Sequence, residues 1–251
     1  MRSQELIQKV IVARSREGNS EFQRRLAELG IPSVGVETIR FEEPEDWFLV
    51  DEAINGVEAF DWVLFTSPRG VAAFGSRVRR LGKDVAGPRM AAVGASTAAA
   101  LEGLGFKVEF VPRDYLTAAL GEGLPSEQGR KVLLLRADIG EKELVLSLRR
   151  RGFEVKDVAV YRTRKAPGRV DVELLKDAGL VIYASPSEVK AFRDRLAPGD
   201  FKRISRQATA ACIGPVTAGA ARSAGFRTVV VPEVHTVDAL VETVRELLNH
   251  A

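Results

Sequence analysis

Short unbroken runs of apolar residues alternate along the chain with longer stretches in which apolar residues recur every three or four positions. KVIVA at 9–13 precedes SEFQRRLAELG, and WVLFT at 62–66 precedes PRGVAAFGSRVRRLG. A run of four to six apolar residues fenced by turn residues is the pattern of a strand buried on both faces. The three-and-four spacing is that of a helix with one apolar side. Strand, helix and strand in repeated succession predict parallel sheet with crossover helices, the α/β class.

The pattern is also written twice. VLFTSPRGVAAF at 63–74 returns as VIYASPSEVKAF at 181–192. KVIVARSREGNSEFQRRLAELGIPSVGVETIR at 9–40 returns at 131–162, and MAAVGASTAAALEGLGFKVEFVP at 90–112 returns at 210–232. Identical pairs fall on glycines, prolines and caps, such as Gly30 with Gly152, Pro68 with Pro186 and Gly105 with Gly225, positions that backbone geometry dictates. Any two parallel-sheet domains share some of this punctuation. Three blocks in one order at nearly constant separation indicate two copies of one architecture. Periodicity alone is satisfied by a tandem split near Gly129.

A chain of 251 residues with 45% apolar content suits one large domain or two small ones, and the doubled pattern favours two. Lysine and arginine total 37 against 34 acidic residues, a net charge of +3 without the clustered basic patch that a nucleic-acid partner requires. No apolar run approaches the ~20 residues of a membrane span. MRSQELIQKVIVARS passes from a polar segment into a short strand rather than reading as a signal peptide, so a cytoplasmic chain is expected, with neither nucleic acid nor membrane as partner. Cys212, the one cysteine, lies in the apolar run TAACIG and reads as a buried strand thiol. His235 and His250 lack metal-ligand spacing, so no metal is expected. GxxxxGK[ST], GxGxxG, HExxH and GxSxG are missing, which leaves nucleotide, zinc and acyl-enzyme chemistry without their residues. FEEPED at 41–46 reads as a solvated linker, and Trp47 and Trp62 as packing side chains, although an aromatic near a domain surface also suits a pocket wall.

The repeated turns lie where open α/β sheets bind ligands, beyond the carboxyl ends of strands, where helix N-termini offer free N–H groups and the positive end of the helix dipole. In FTSPRG, Ser67 is placed to cap a helix with Pro68 in its first turn, and Ser185 with Pro186 repeats this. Gly94 and Gly214 end strands in AVGAST and CIGPVT, with Ser96 and the hydroxyls of Thr97 and Thr217 close behind. Arg14 and Arg136 stand at matching strand ends, and Arg69 follows the first Ser-Pro. Each turn alone is ordinary helix capping. In two matched sets they point to a site for a polyanion.

With FTSPRGV at 65–71, VGAST at 93–97, VAVYRT at 158–163, YASPSEV at 183–189 and AACIGPVTAGAARSAGF at 210–226, the chain resembles the uroporphyrinogen-III synthase family along nearly its whole length. The resemblance implies two flavodoxin-like parallel-sheet domains related by internal repeat, with the N-terminal block swapped between them and a two-strand linker. One domain would be residues 1–40 plus 163–251, discontinuous in sequence, and the other 41–162. The matching exits RFEEPED and RTRKAPG, both charged and proline-bearing, agree with that exchange.

The family's reaction closes hydroxymethylbilane, a linear tetrapyrrole with many carboxylates, into uroporphyrinogen III while inverting the last pyrrole ring, in tetrapyrrole (haem) biosynthesis. The resemblance therefore implies a cofactor-independent lyase with a small-molecule linear tetrapyrrole substrate. It also implies a monomer that meets neighbouring tetrapyrrole-pathway enzymes at most transiently. It assigns Tyr161 as a proton donor for water loss, against an equal expectation that the ring merely packs. Carboxylate contacts fall to Ser67, Arg69, Gly70, Thr97, Ser185, Ser187 and Thr217, beside the strand-end residues Arg14, Gly94, Ser96, Arg136 and Gly214 named above. The second Ser-Pro turn departs from the first, since Ser187-Glu188 replaces Arg69-Gly70 and Glu188 would repel a carboxylate. The competing expectation is a non-catalytic, two-domain cytoplasmic binding protein that closes on a small polyanion.

Overall fold

A computed structural model describes residues 9–114, 116–125, 130–140 and 142–249; Gly129 and His250 lie outside the described residues. In chain order the elements begin with β1 (Lys9–Arg14), α1 (Arg16–Glu28), β2 (Ser33–Glu37), β3 (Ile39–Glu42), α2 (Phe48–Asn55), β4 (Trp62–Phe65) and α3 (Pro68–Leu81). They continue with β5 (Arg89–Ala92), α4 (Ala95–Glu102), β6 (Val108–Phe110), α5 (Thr117–Gly123), β7 (Lys131–Ala137), α6 (Lys142–Arg150) and β8 (Glu154–Lys165). The last are β9 (Ala178–Tyr183), α7 (Pro186–Arg195), α8 (Pro198–Gln207), β10 (Thr209–Cys212), α9 (Pro215–Ala224), β11 (Thr228–Val230) and α10 (Val237–Asn249).

Two compact units result, Met1–Arg40 with Arg164–Ala251, and Phe41–Thr163. The divisions fall inside β3 and β8. The first unit carries a sheet in the order β11-β10-β9-β1-β2, all parallel. The second sheet runs β3-β8-β7-β4-β5-β6, parallel from β8 to β6. The first sheet takes the order 2-1-3-4-5 of a doubly wound sheet, and the five parallel strands of the second take the same spatial order when counted from β7, although β7 and β8 come last in the chain. The order changes direction beside β1 in one and β7 in the other, the strands that begin the two copies of the first repeat block.

Both sheets are buried on both faces, which is why the strands read as unbroken apolar runs. Side chains alternate along β1: Val10 and Val12 meet Phe22, Leu26 and Leu240, while Ile11 and Ala13 meet Tyr183, Phe192 and Phe226. Along β4, Val63 and Phe65 pack with Phe74, and Trp62 and Leu64 with Leu120 and Leu148. Removing one fully buried aromatic such as Phe74 or Phe192 would cost about 3–5 kcal/mol.

Helix boundaries follow local chemistry. α1 begins at Arg16, earlier than the apolar spacing from Ser20 suggests, because the Ser15 side chain accepts a hydrogen bond from the Gly18 N–H at 3.2 Å and caps that turn. α3 ends where Gly82 adopts φ of 62°, a left-handed cap that most side chains resist. Among the described residues no helix is long and apolar enough to cross a membrane.

Candidate functional site

In the unit Phe41–Thr163, β4 delivers the chain into α3 through Ser67. Its extended backbone (φ −162°, ψ 151°) and hydroxyl cap the helix, the hydroxyl oxygen accepting from the Gly70 N–H at 3.1 Å. Pro68 lacks an N–H and so sits in the first turn without loss. The same hydroxyl lies 3.0 Å from that of Tyr161, near the end of β8. Tyr161 is half-buried and stands edge-on to Phe41, with ring centroids 5.8 Å apart at 75°. The Arg69 guanidinium covers the other ring of that pair, 3.7 Å from the Phe41 centroid. Tyr161, 94 positions from Ser67, thus joins Ser67, Arg69 and Gly70 in one cluster.

A Ser–Tyr hydroxyl pair can be read in either direction. Since Ser67 already accepts from Gly70, donating its own hydrogen to Tyr161 leaves the phenol proton free to point outward. The cluster opens into a pocket of about 270 Å³ lined by Phe41, Trp47, Arg69, Arg77, Arg80 and Tyr161, among others. Arg77 is held by two 2.5 Å hydrogen bonds to Asp51 and lies over Trp47 at 4.6 Å. This bond and the nearby positive charge hold the Asp51 carboxyl below its ordinary value.

Gly94 caps α4 in the same unit. Ser96 is exposed in its first turn, while Thr97 is only 1% exposed. Gly214 caps α9 in the other unit, and Thr217 is 3% exposed. Little of either threonine side chain faces solvent. A Cβ on Gly214 would lie 3.6 Å from the His235 ring, which places this exposed histidine beside the α9 turn, a neighbour its sequence position does not reveal.

The two strand-end arginines are committed within the protein. Arg136, 5% exposed, makes a forked pair with Asp157 at 2.8 and 2.6 Å, so its guanidinium is held inside rather than presented at the strand end. Arg14 donates from Nε to Glu188 at 3.2 Å and lies 4.9 Å over the Phe22 ring. Glu188 is itself buried. It accepts from the Ala184 and Ser185 N–H groups at 2.7 and 3.1 Å, while Ser185 Oγ accepts from the Glu188 N–H at 3.3 Å, a complete capping box. Ser187, exposed, meets Ser185 Oγ at 2.9 Å.

The residues that the sequence did not single out are Phe41, Arg77 and Arg80. Trp47 lines the pocket, whereas Trp62 is fully buried and packs. Part of FEEPED is wall rather than solvated linker: Phe41, Glu42 and Glu43 face the pocket, and Glu42 pairs with Arg162 at 3.3 Å. The available signal was the spacing of Arg69, Ala73, Arg77 and Arg80 on one side of α3.

Comparison with known proteins bears on this arrangement. Residues 20–242 match the model of the family described as uroporphyrinogen-III synthase HemD. The chain is 27% identical to a uroporphyrinogen-III synthase of Synechococcus elongatus, with 98% of each chain covered. It is 29% identical to the chloroplastic uroporphyrinogen-III synthase of Oryza sativa subsp. japonica, over 96% of this chain and 80% of the relative. Among solved structures it resembles a mutant uroporphyrinogen III synthase of the extremely thermophilic bacterium Thermus thermophilus, with a TM-score of 0.73 at 20% identity, covering 97% of this chain and 99% of that one. It also resembles the uroporphyrinogen-III synthetase of Helicobacter pylori, with a TM-score of 0.62 at 20% identity over 96% and 99% of the two chains.

Proposed function

This chain belongs to the uroporphyrinogen-III synthase family, and on that premise we propose that it closes hydroxymethylbilane to uroporphyrinogen III as a lyase that needs no cofactor. The bilane also closes unaided, to the isomer whose last ring is not inverted. The protein's contribution is therefore chiefly orientation, holding the substrate so that the substituted carbon of the last ring attacks. The strand-end turns at Ser67, Gly94 and Gly214 offer N–H groups for the carboxylates.

The observation that carries the reading is the Tyr161 hydroxyl 3.0 Å from Ser67 Oγ, next to Arg69. In the first step the C–O bond of the terminal hydroxymethyl group breaks. Tyr161 gives its proton to the departing hydroxide, which leaves as water, and the pyrrole becomes an azafulvene. Ser67 and the Arg69 charge steady the phenolate. The last ring's substituted carbon then attacks to give a spirocyclic pyrrolenine, which fragments and recloses with that ring turned over. The proton lost as the final pyrrole becomes aromatic restores Tyr161, so the balance is one water out and no electrons exchanged.

The test is to supply hydroxymethylbilane and separate the product isomers. Conversion almost wholly to uroporphyrinogen III is expected. Well-folded protein that yields only isomer I would overturn the synthase reading and favour a protein that merely holds the bilane.

A further inference from the structure

The pocket of about 270 Å³ runs along one side of α3, between that helix and the segment from Phe41 to Trp47, with Tyr161 at one end. From Arg69 to Arg80 the helix advances roughly 16 Å. The small Ala72, Ala73 and Ser76 leave the space open between those two arginines. The walls are fixed before any ligand arrives. Phe41 is held between Arg69 and Tyr161, and Trp47 lies beneath an Arg77 that Asp51 already grips. Arg80 is exposed, in the last turn of α3, and makes no ion pair among the described residues.

We propose that this pocket seats a single carboxylate-bearing pyrrole ring of the linear tetrapyrrole, its acid on Arg80 and its reacting end at Tyr161; the proposal rests on the synthase reading. Three features select that ligand. Aromatic faces and edges with guanidinium groups beside them suit a flat, electron-rich ring. The volume lies just under the ~300 Å³ at which drug-sized sites begin, enough for one substituted ring and too little for four. The charge is divided along the groove. Glu42 and Glu43 line it as well, and Glu42 pairs with Arg162, so a bare anion gains little there, whereas a ring with its acid pointed at Arg80 keeps that acid at the unpaired arginine. With its terminal hydroxymethyl group at the Tyr161 end, the seated ring is the first ring, the one that becomes the azafulvene, at the opposite end of the bilane from the ring that turns over.

The experiment compares wild type, Ser76→Phe, which fills the pocket from an exposed helical position, and Arg80→Gln. Each is assayed with hydroxymethylbilane for KM, kcat and isomer ratio, with thermal unfolding as the control. Both variants should raise KM about tenfold or more, the loss expected of a charged hydrogen bond or a blocked seat, and should increase the share of isomer I at unchanged thermal midpoint. If wild type makes uroporphyrinogen III and both variants stay within about twofold of it in KM and isomer ratio, the pocket assignment is wrong and the synthase reading stands. Wild type that makes only isomer I sinks the reading and the pocket assignment with it. Should Ser76→Phe fail to fold, Arg80→Gln carries the same readouts alone.

Discussion

Glu188 and Arg14 form a buried ion pair that ties the start of α7 to the end of β1, and Glu188 stands at the repeat position that Gly70 occupies in α3. The carboxylate of Glu188 takes the Ala184 and Ser185 N–H groups, so the anion-binding end of α7 is filled by the protein's own acid. At α3 the position is glycine, and the Ser67 hydroxyl turns to Tyr161 instead. The two matching Ser-Pro turns thus differ, one closed by the protein's own acid and one open.

Burial pushes the Glu188 carboxyl above its ordinary value of 4.5, against the pull of Arg14 and the two backbone N–H groups. A group whose pKa is higher folded than unfolded adds stability that is full below the unfolded value and is lost as pH rises through the folded one. The unfolding free energy of wild type, measured against Glu188→Gln, should therefore shift in favour of wild type between about pH 7 and about pH 5. Denaturant titrations at the two pH values check this; a difference that stays flat would contradict it.

Replacing Tyr161 with Phe should lower kcat by up to about 10²–10⁴-fold without abolishing turnover, the usual range of general acid assistance, since an electron-rich pyrrole itself helps expel the hydroxide. The ring contact with Phe41 survives the substitution, so the thermal midpoint should barely move. Unchanged kcat would leave Tyr161 with packing alone.

The caps were legible in the sequence and most side-chain partners were not. Ser67, Ser185, Gly94 and Gly214 sit at helix starts because a cap is decided by its own few residues. Ser185-x-x-Glu188 is a capping-box signature within that same short range, yet the acid reads as a repulsive neighbour until its bonds are seen. Arg136 is different. Its partner Asp157 comes from the neighbouring strand, where Leu134 and Asp157 lie in register, and strand pairing of that kind is not written locally. The pocket depends on Phe41 and Trp47 meeting one face of α3, a tertiary relation that an acidic stretch around them conceals.

Arg136 also explains Gly140, the counterpart of Gly18. A Cβ added at Gly140 would lie 2.7 Å from Arg136 Cδ, and the arginine is too buried and too firmly paired to retreat. Gly140→Ala should cost about 1–3 kcal/mol through overpacking, read from chemical denaturation. Stability equal to wild type would mean that the Arg136–Asp157 fork relaxes freely.

Cys212 lies fully buried in β10, and desolvation pushes its thiol up to about 12. Since the thiolate is the reactive form, the native protein should resist thiol reagents at neutral pH and react only when denatured. Synthase activity should accordingly survive long exposure to such a reagent. Fast labelling of the native chain would place Cys212 in a segment that opens readily.

The open and closed turns make an asymmetric forecast about their caps. Ser67 and Ser185 each accept one N–H from the third residue of the following helix, Gly70 at 3.1 Å and Glu188 at 3.3 Å, so replacing either with Ala should cost a similar ~1 kcal/mol of stability. Their catalytic costs should differ. Ser185→Ala touches a helix end that Glu188 already fills, and its KM and isomer ratio should match wild type. Ser67→Ala removes the partner of Tyr161 and the cap of the open turn, and should lower kcat and raise the share of isomer I. Equal thermal shifts with unequal product mixtures are the expected result, because stability reads the cap while the isomer ratio reads what the turn holds. If Ser185→Ala altered the isomer ratio as much as Ser67→Ala, the closed turn would be holding substrate too, and Glu188 would have to move aside to admit it.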